Sequence, residues 1–296
     1  MGIGKSAAHL LMKNLVHYPL SGSRRILTLG RQDIAITMKD LRQLAQHVGL
    51  NLVPIDTVEL SPRPVHAAAE WISDVTLFRA LGFSDVVSLD ASGFEGASFT
   101  FDLNSVSLPA DLRGSFEWVL DPGTMEHVFS VPNVLRNIWS ALECGGRAVH
   151  ISPSSNWIDH GFYMYSPTLF YDFYVQNNWQ IQTIQVVRHS QFPGSRWFVV
   201  DYSPGCLMPR SSGGLDGHTY QTFCVAQKTE DATGDRVPQQ GRYFEEWFDP
   251  GNSDKGTRWA KQLVMKNGVA TRSAIRLLEV KRWWHKGWDL DPTERC

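Results

Sequence analysis

Four short apolar runs in this 296-residue chain each end in a residue suited to meeting a ligand. ILTLG ends at Gly30, VVSLD at Asp90, FTFD at Asp102 and FEWVLD at Asp121. Glu126 and His127 follow Asp121 within a few residues, and Asn156 follows the run AVHISPSS. A carboxylate is an acceptor only, whereas a glycine lets the backbone itself approach a ligand. Any single aspartate here could be a turn or helix-cap residue. Acids closing several neighbouring strands beside a glycine turn form a rim that suits hydroxyls, amines and a cationic ligand.

The elements that must hold this rim are legible around Phe116 to Gly146. Phe116–Leu120 is short and rich in strand formers and runs into Asp121-Pro122-Gly123, so it reads as a strand ending in a turn. Val131, Val134, Leu135, Ile138, Trp139 and Leu142 recur at helical spacing, which predicts an amphipathic helix over 131–142 stopped by Gly145 and Gly146. Ala148–Ile151 is the next strand. Strand, helix, strand is a crossover unit of a parallel sheet, and ligands bind such sheets beyond the carboxyl ends of the strands. Asp121, Glu126, His127 and Asn156 are therefore expected on one rim.

Upstream, the pattern predicts an N-terminal helix, a first strand at 26–30, a helix at 36–48, an irregular connection at 51–64 and a second helix at 67–81. Strands ending at Asp90 and Asp102 follow. Downstream, Ser166 reads as an N-cap with Pro167 at the first helical position, and most of the aromatics around it read as core. Runs 180–187 and 219–227 read as two final strands around a long loop, and 228–240 as a linker. From Lys255 to Lys286 the chain turns basic, with Arg258, Lys261, Lys266, Arg272, Arg276, Lys281 and Arg282 interleaved with Trp259, Trp283 and Trp284. This predicts an amphipathic helical extension, either folded over the core or, through 255–288, touching an anionic membrane.

Composition sets wider bounds. With 43% hydrophobic residues the chain can bury a large core. A net charge of -2 supplies no global attraction to nucleic acid. Cys144, Cys206, Cys224 and Cys296 contain no CxxC pair, which argues against a zinc knuckle or a disulfide framework and for a reducing, cytoplasmic setting. The first twenty residues are too interrupted by Lys13, Asn14 and His17 for a secretory or membrane-spanning segment. The opening MGIGKS fits a loose myristoylation pattern, and its GKS lacks the upstream glycine and strand of a phosphate loop.

On LTLGRQD, LGFSDVVSLDAS, FDLN, LDPGTMEHVF and DHGFYMYSPTLF, the chain resembles the class I S-adenosylmethionine-dependent methyltransferases, in particular a bacterial group in which a PQQ..Y..W segment also follows the core. The resemblance covers about 24–227, leaving 1–23 as an N-terminal helical segment and 228–296 as linker and extension. It implies an α/β fold: a Rossmann-like sheet of seven strands, the last antiparallel, with helices on both faces. It also implies S-adenosylmethionine as methyl donor, with Gly30 at its methionine part, Asp90 at the ribose, Asp102 and Leu103 at the adenine, and Asp121 beside the sulfonium. The chain departs from the family in having one glycine where GxGxG is usual. It also has an insertion between Arg31 and His66, expected to lie over the cofactor site.

Methyl transfer to oxygen or nitrogen needs alignment and the loss of one proton, for which His127 and His160 are the candidate bases beside Asp121. TMEHV and DHGFYMYSPTLF also resemble the ExxEH and later histidine elements of methyltransferases that grip a substrate diol with a divalent metal such as Mg²⁺. Glu126, His127 and His160 match that set, and Gly123 replaces its first glutamate. The leading expectation is methyl transfer to a small-molecule or glycan-type acceptor by a cytoplasmic protein, peripheral at the inner membrane face if the tail engages lipid. The alternatives are a catalytically silent Rossmann-like module recruited by its basic tail and, less favoured by charge, RNA methylation. Oligomeric state is not legible.

Overall fold

A computed structural model describes residues 2–189, 197–207, 215–241 and 294–295. The basic extension, including 255–288, and Cys296 lie outside the described residues, so the expectations placed on them stand as made.

One mixed sheet organises the chain, in the order β3-β2-β1-β4-β5-β8-β6-β7-β9. Its strands are β1 (Arg25–Leu29), β2 (Asp85–Asp90), β3 (Phe99–Thr100), β4 (Phe116–Asp121), β5 (Leu142–Ser155), β6 (Gln180–His189), β7 (Phe198–Asp201), β8 (Thr219–Gln227) and β9 (Glu294–Arg295). Strands β1 to β5 pair in parallel, and β8 runs antiparallel to both β5 and β6. The run from β3 to β6 is thus the Rossmann-like seven-strand sheet, with the last of those strands in the chain antiparallel. Beyond it, β7 and β9 extend the edge by antiparallel pairing.

Alternation along the strands divides the core between two faces. Ile26, Trp118, Leu120 and Val149 face the side covered by α1 (Lys5–His17), α2 (Met38–Val48) and α4 (Asp74–Ala80). Leu27, Leu29, Val119 and Ala148 face the side covered by α5 (Val131–Ala141) and α6 (Pro167–Gln176). The N-terminal helix belongs to the first layer, burying Ala7, Ala8, Leu10, Leu11, Met12 and Leu15. Thr37 starts α2 with a capping box shared with Asp40, and Gly49, in a left-handed conformation, ends it.

Several boundaries differ from the sequence expectation, each for a local reason. The helix expected over 67–81 is two: α3 (Pro64–Ala68) and α4. Between them Glu70 has φ 57°, Trp71 bridges Thr37 and Ile72 bridges Leu60, so the chain is held extended until Ser73 caps α4. The helix at 131 ends at Ala141, before the glycines, because Leu142 already pairs with Phe116 in β5. Gly146 serves the strand instead: a Cβ there would lie 3.0 Å from the carbonyl oxygens of Phe116, Glu117 and Glu143. Strand β3 is only two residues long, since Asp102 accepts from the backbone and side-chain nitrogens of Asn104 and turns the chain. Strand β7, inside the expected long loop, carries no strong alternation of its own and forms by pairing with β6.

The segment expected as a linker is pinned to the core as far as it is described. Trp139 Nε1 donates to the Ala232 carbonyl and Trp179 Nε1 to that of Thr233, both at 2.8 Å. Lys228 Nζ donates to the carbonyls of Trp139 and Leu142, which end α5. Its polar, turn-rich composition concealed these side-chain anchors. Among the described residues, no helix is long and apolar enough to cross a membrane.

Candidate functional site

The parallel strands deliver their terminal residues to one end of the sheet. Gly30, just after β1, has φ 77°, a conformation costly for a side-chain-bearing residue. Its N–H donates to the Leu89 carbonyl of β2 at 2.7 Å. A Cβ there would sit 3.2 Å from Thr124 Oγ1, 3.6 Å from Gln32 Nε2 and 3.7 Å from Asp90 Oδ2. Gly30, Asp90 and the turn after β4 therefore surround one small cradle that only a glycine leaves open.

The single glycine is supported by side chains where further glycines would be usual. Gln32 Nε2 donates to the carbonyls of Leu29 (3.0 Å) and Gly30 (3.1 Å), and Thr124 Oγ1 donates to Leu29 at 2.6 Å. Arg31 pairs with buried Asp74 at 2.9 Å, and the Gln32 N–H also points at Asp74. Burial raises the Asp74 carboxyl, opposed by the Arg31 charge. Sequence reasoning missed Gln32, Asp74 and Thr124, because none lies at a strand end in a recognisable pattern. The inserted connection is tied down nearby: Arg63 pairs with Asp33 of the β1 loop and Glu95 of the β2–β3 loop.

Asp90 is half-buried, with Oδ1 accepting from the Ser92 N–H at 3.1 Å and Oδ2 turned towards Gly30. Asp102 is exposed, with Oδ1 engaged by Asn104. Leu103 is buried in the α5 layer, and its carbonyl accepts from Asn137 Nδ2. Asn104 Oδ1 accepts from the Ser130 N–H, stitching this loop to the start of α5.

Asp121 is where the structure departs most from the expected role. It is 0% exposed. Its Oδ1 accepts from the N–H groups of Thr124 and Met125, both at 3.0 Å, and its Oδ2 meets His150 Nδ1 at 3.0 Å. His150 Nε2 lies 2.6 Å from the Tyr174 hydroxyl. With Tyr174 donating to Nε2, His150 carries its proton on Nδ1 and donates to Asp121. Both carboxylate oxygens are thus engaged within the protein, and Asp121 holds the turn that begins at Thr124 and Met125. His150 and Tyr174 had read as ordinary strand and core residues.

That turn carries the reactive groups. Glu126 is 0% exposed, and neither carboxyl oxygen has a hydrogen-bond partner among the described residues. Its Oε1 lies 3.6 Å from His160 Nε2 and 4.0 Å from His127 Nε2, and the two imidazole centroids are 5.0 Å apart. These separations exceed hydrogen-bond length. Burial, with Asp121 nearby, pushes the Glu126 carboxyl up to about 8. Burial lowers both imidazoles, with His160 adding to the effect on His127. The contacts are between neutral groups, not ion pairs, at neutral pH.

His160 reaches the cluster on a loop with strained backbone, Asn156 at φ 61° and Asp159 at φ 68°. Asn156 Nδ2 anchors this loop to the carbonyls of Asp216 and His218, a different task from presenting its amide to a ligand. The next residue must be small: a Cβ on Gly161 would lie 2.9 Å from the Glu126 carbonyl oxygen and 3.2 Å from His127 Nδ1. The structure therefore brings Glu126, His127 and His160 together, with ligand atoms all within 4.8 Å of one another. It sets Gly30 and Asp90 side by side and turns Asp121 inward.

No family model matches the chain, and no curated protein matches it. Solved structures similar to it include a 1,6-didemethyltoxoflavin-N1-methyltransferase from Burkholderia thailandensis, 13% identical, covering 76% of this chain and 78% of that one with a TM-score of 0.35. A geranyl diphosphate methyltransferase in complex with SAM is 16% identical, covering 76% and 85% with a TM-score of 0.38. A possible histamine N-methyltransferase from Thermotoga maritima is 12% identical, covering 76% and 91% with a TM-score of 0.33. The fold assignment rests on strand order and direction, not on these scores.

Proposed function

We propose that this protein transfers a methyl group from S-adenosylmethionine to an oxygen or nitrogen of a small-molecule acceptor. The observation that carries the reading is the cradle at Gly30, with Asp90 Oδ2 beside it and Thr124 tying it to the turn that bears Glu126 and His127. In this reading the backbone at Gly30 meets the methionine part of the donor. Asp90 Oδ2 accepts from the vicinal ribose hydroxyls, and Asp102 takes the adenine amine through the oxygen that Asn104 leaves open, with Leu103 behind it. Asp121 acts from beneath by fixing the turn.

His127 and His160, neutral because burial lowers them, are the bases for the acceptor proton. Glu126, His127 and His160 also fit a divalent cation: two carboxyl oxygens and His160 Nε2 are buried without hydrogen-bond partners among the described residues, and the donor atoms are close enough to share one ion. Such an ion would polarise an acceptor oxygen and favour its deprotonated form. Two imidazoles and one carboxylate suit Mn²⁺ or Zn²⁺ better than Mg²⁺, which prefers oxygen ligands.

Calorimetric titration with S-adenosylmethionine tests the reading directly. The protein is expected to bind the donor and Asp90→Ala to bind it more weakly. No binding heat from the wild type, or equal affinity in Asp90→Ala, would overturn it.

A further inference from the structure

Two phenylalanines beside the Glu126 cluster remain unused by this scheme. Phe129 and Phe162 are 71% and 66% exposed, yet their rings touch edge to face, with centroids 5.8 Å apart and an interplanar angle of 89°. A lone exposed apolar side chain is ordinary. This pair is placed by the site's own backbone: the Phe162 N–H donates to the Glu126 carbonyl at 2.8 Å, and Tyr163 Oη donates to the Phe129 carbonyl at 2.8 Å. Phe129 lies two residues after His127, and Phe162 follows Gly161, where an added Cβ would lie 3.2 Å from His127 Nδ1. Ile158 and Met164 on the same loop are also exposed. An apolar lip therefore stands against the polar cluster, fixed to it by hydrogen bonds.

We infer that Phe129 and Phe162 determine acceptor specificity by seating an apolar body, alkyl or aryl, whose nucleophilic oxygen or nitrogen reaches the histidines. This rests on the methyl-transfer reading and narrows it, because the lip separates an apolar acceptor from a glycan. A sugar ring stacks on a flat aromatic face and needs polar partners around its rim. Two phenyl rings at 89° form a wedge, not a platform, and offer no hydrogen-bonding group. A wedge of this kind gains by removing apolar surface from water, in proportion to the length of chain it covers.

The probes are 4-alkylphenols (ethyl, butyl, hexyl) and the disaccharide cellobiose, titrated calorimetrically into full-length protein saturated with S-adenosylhomocysteine. Affinity is expected to rise about fourfold for each methylene seated. That dependence should flatten in Phe129→Ser/Phe162→Ser and persist in Val237→Ser, which removes an equally exposed apolar side chain elsewhere. Because both phenylalanines are exposed, the double variant should keep the wild-type melting temperature, which checks that it is folded. Affinity independent of chain length in the wild type, an equal dependence in the double variant, or binding of cellobiose in preference to the phenols would overturn the inference. A steep dependence in protein that binds neither S-adenosylmethionine nor its product would sustain the lip and overturn the methyl-transfer reading.

Discussion

Replacing Glu126 by Gln should change how stability depends on pH more than any other single substitution in the site. The carboxyl is 0% exposed, lacks hydrogen-bond partners and is pushed up to about 8 from an ordinary 4.5 by burial and by Asp121. In the unfolded chain it ionises near its ordinary value, so between about 4.5 and 8 the folded state binds the extra proton. Stability from this group then falls as pH rises, at about 1.4 kcal/mol per unit across that window. From pH 5.5 to 7.5 the loss comes to roughly 2 to 3 kcal/mol in metal-free wild type, and glutamine, which has no proton to release, avoids it. His127 and His160 shift in the opposite direction, but both variants retain them, so they largely cancel in the difference. For a domain of this size the melting-temperature advantage of Glu126→Gln should widen by roughly 5 to 10 °C between the two pH values. Differential scanning calorimetry with chelator present measures it. A difference between the two proteins that stays constant with pH would refute the buried, protonated carboxyl, and with it the cost that a bound cation would relieve.

Three further outcomes follow from the same geometry. Asp90→Ala should weaken S-adenosylmethionine binding by roughly 1.5 to 3 kcal/mol, the usual loss for a charged hydrogen bond, measured by calorimetry. Replacing whichever of His127 and His160 serves as base by alanine should lower turnover by roughly 10²- to 10⁴-fold in single-turnover assays while donor affinity stays near wild type; full activity in both variants would remove both as bases. Tyr174→Phe should cost about 1 to 3 kcal/mol in chemical denaturation, because His150 Nε2 is left without its donor in a fully buried site.

The sheet was legible because its signals are local. Short apolar runs closed by Asp90 and Asp121 could hardly be other than strands, and the spacing from Val131 marked α5 to within a residue of its end. What stayed hidden depends on contacts between distant residues. The break between α3 and α4 comes from bridges to Thr37 and Leu60, and the docking of 228–241 comes from indole donors more than fifty residues away. At the site, Glu126, His127 and His160 could be grouped from motifs, and the structure does bring them together. The direction in which each side chain points could not be read. Asp121 and Asp90 end the two strands that flank β1 and share one signature, yet one turns into the core and the other towards Gly30.

That divergence has a physical origin in the strands that flank each acid. Asp121 pairs in register with His150 of β5, the next strand of the sheet, so an imidazole stands beside its carboxylate. The Tyr174 hydroxyl of α6 lies 2.6 Å from the other ring nitrogen, and two backbone N–H groups donate to the second carboxylate oxygen. A carboxyl group whose oxygens are hydrogen-bonded in this way can be buried without leaving polar atoms unpaired. Asp90 has no such company: its strand neighbours are β1, which Gly30 follows, and the two-residue β3. Its Oδ1 accepts from the Ser92 N–H, and its Oδ2 is turned towards Gly30. The same arrangement bears on Glu126, whose carboxyl is raised first by its own burial and then by the nearby charge of Asp121. The inward acid therefore does two things at once: it holds the turn that carries His127 towards His160, and its charge adds to the burial that raises the Glu126 carboxyl.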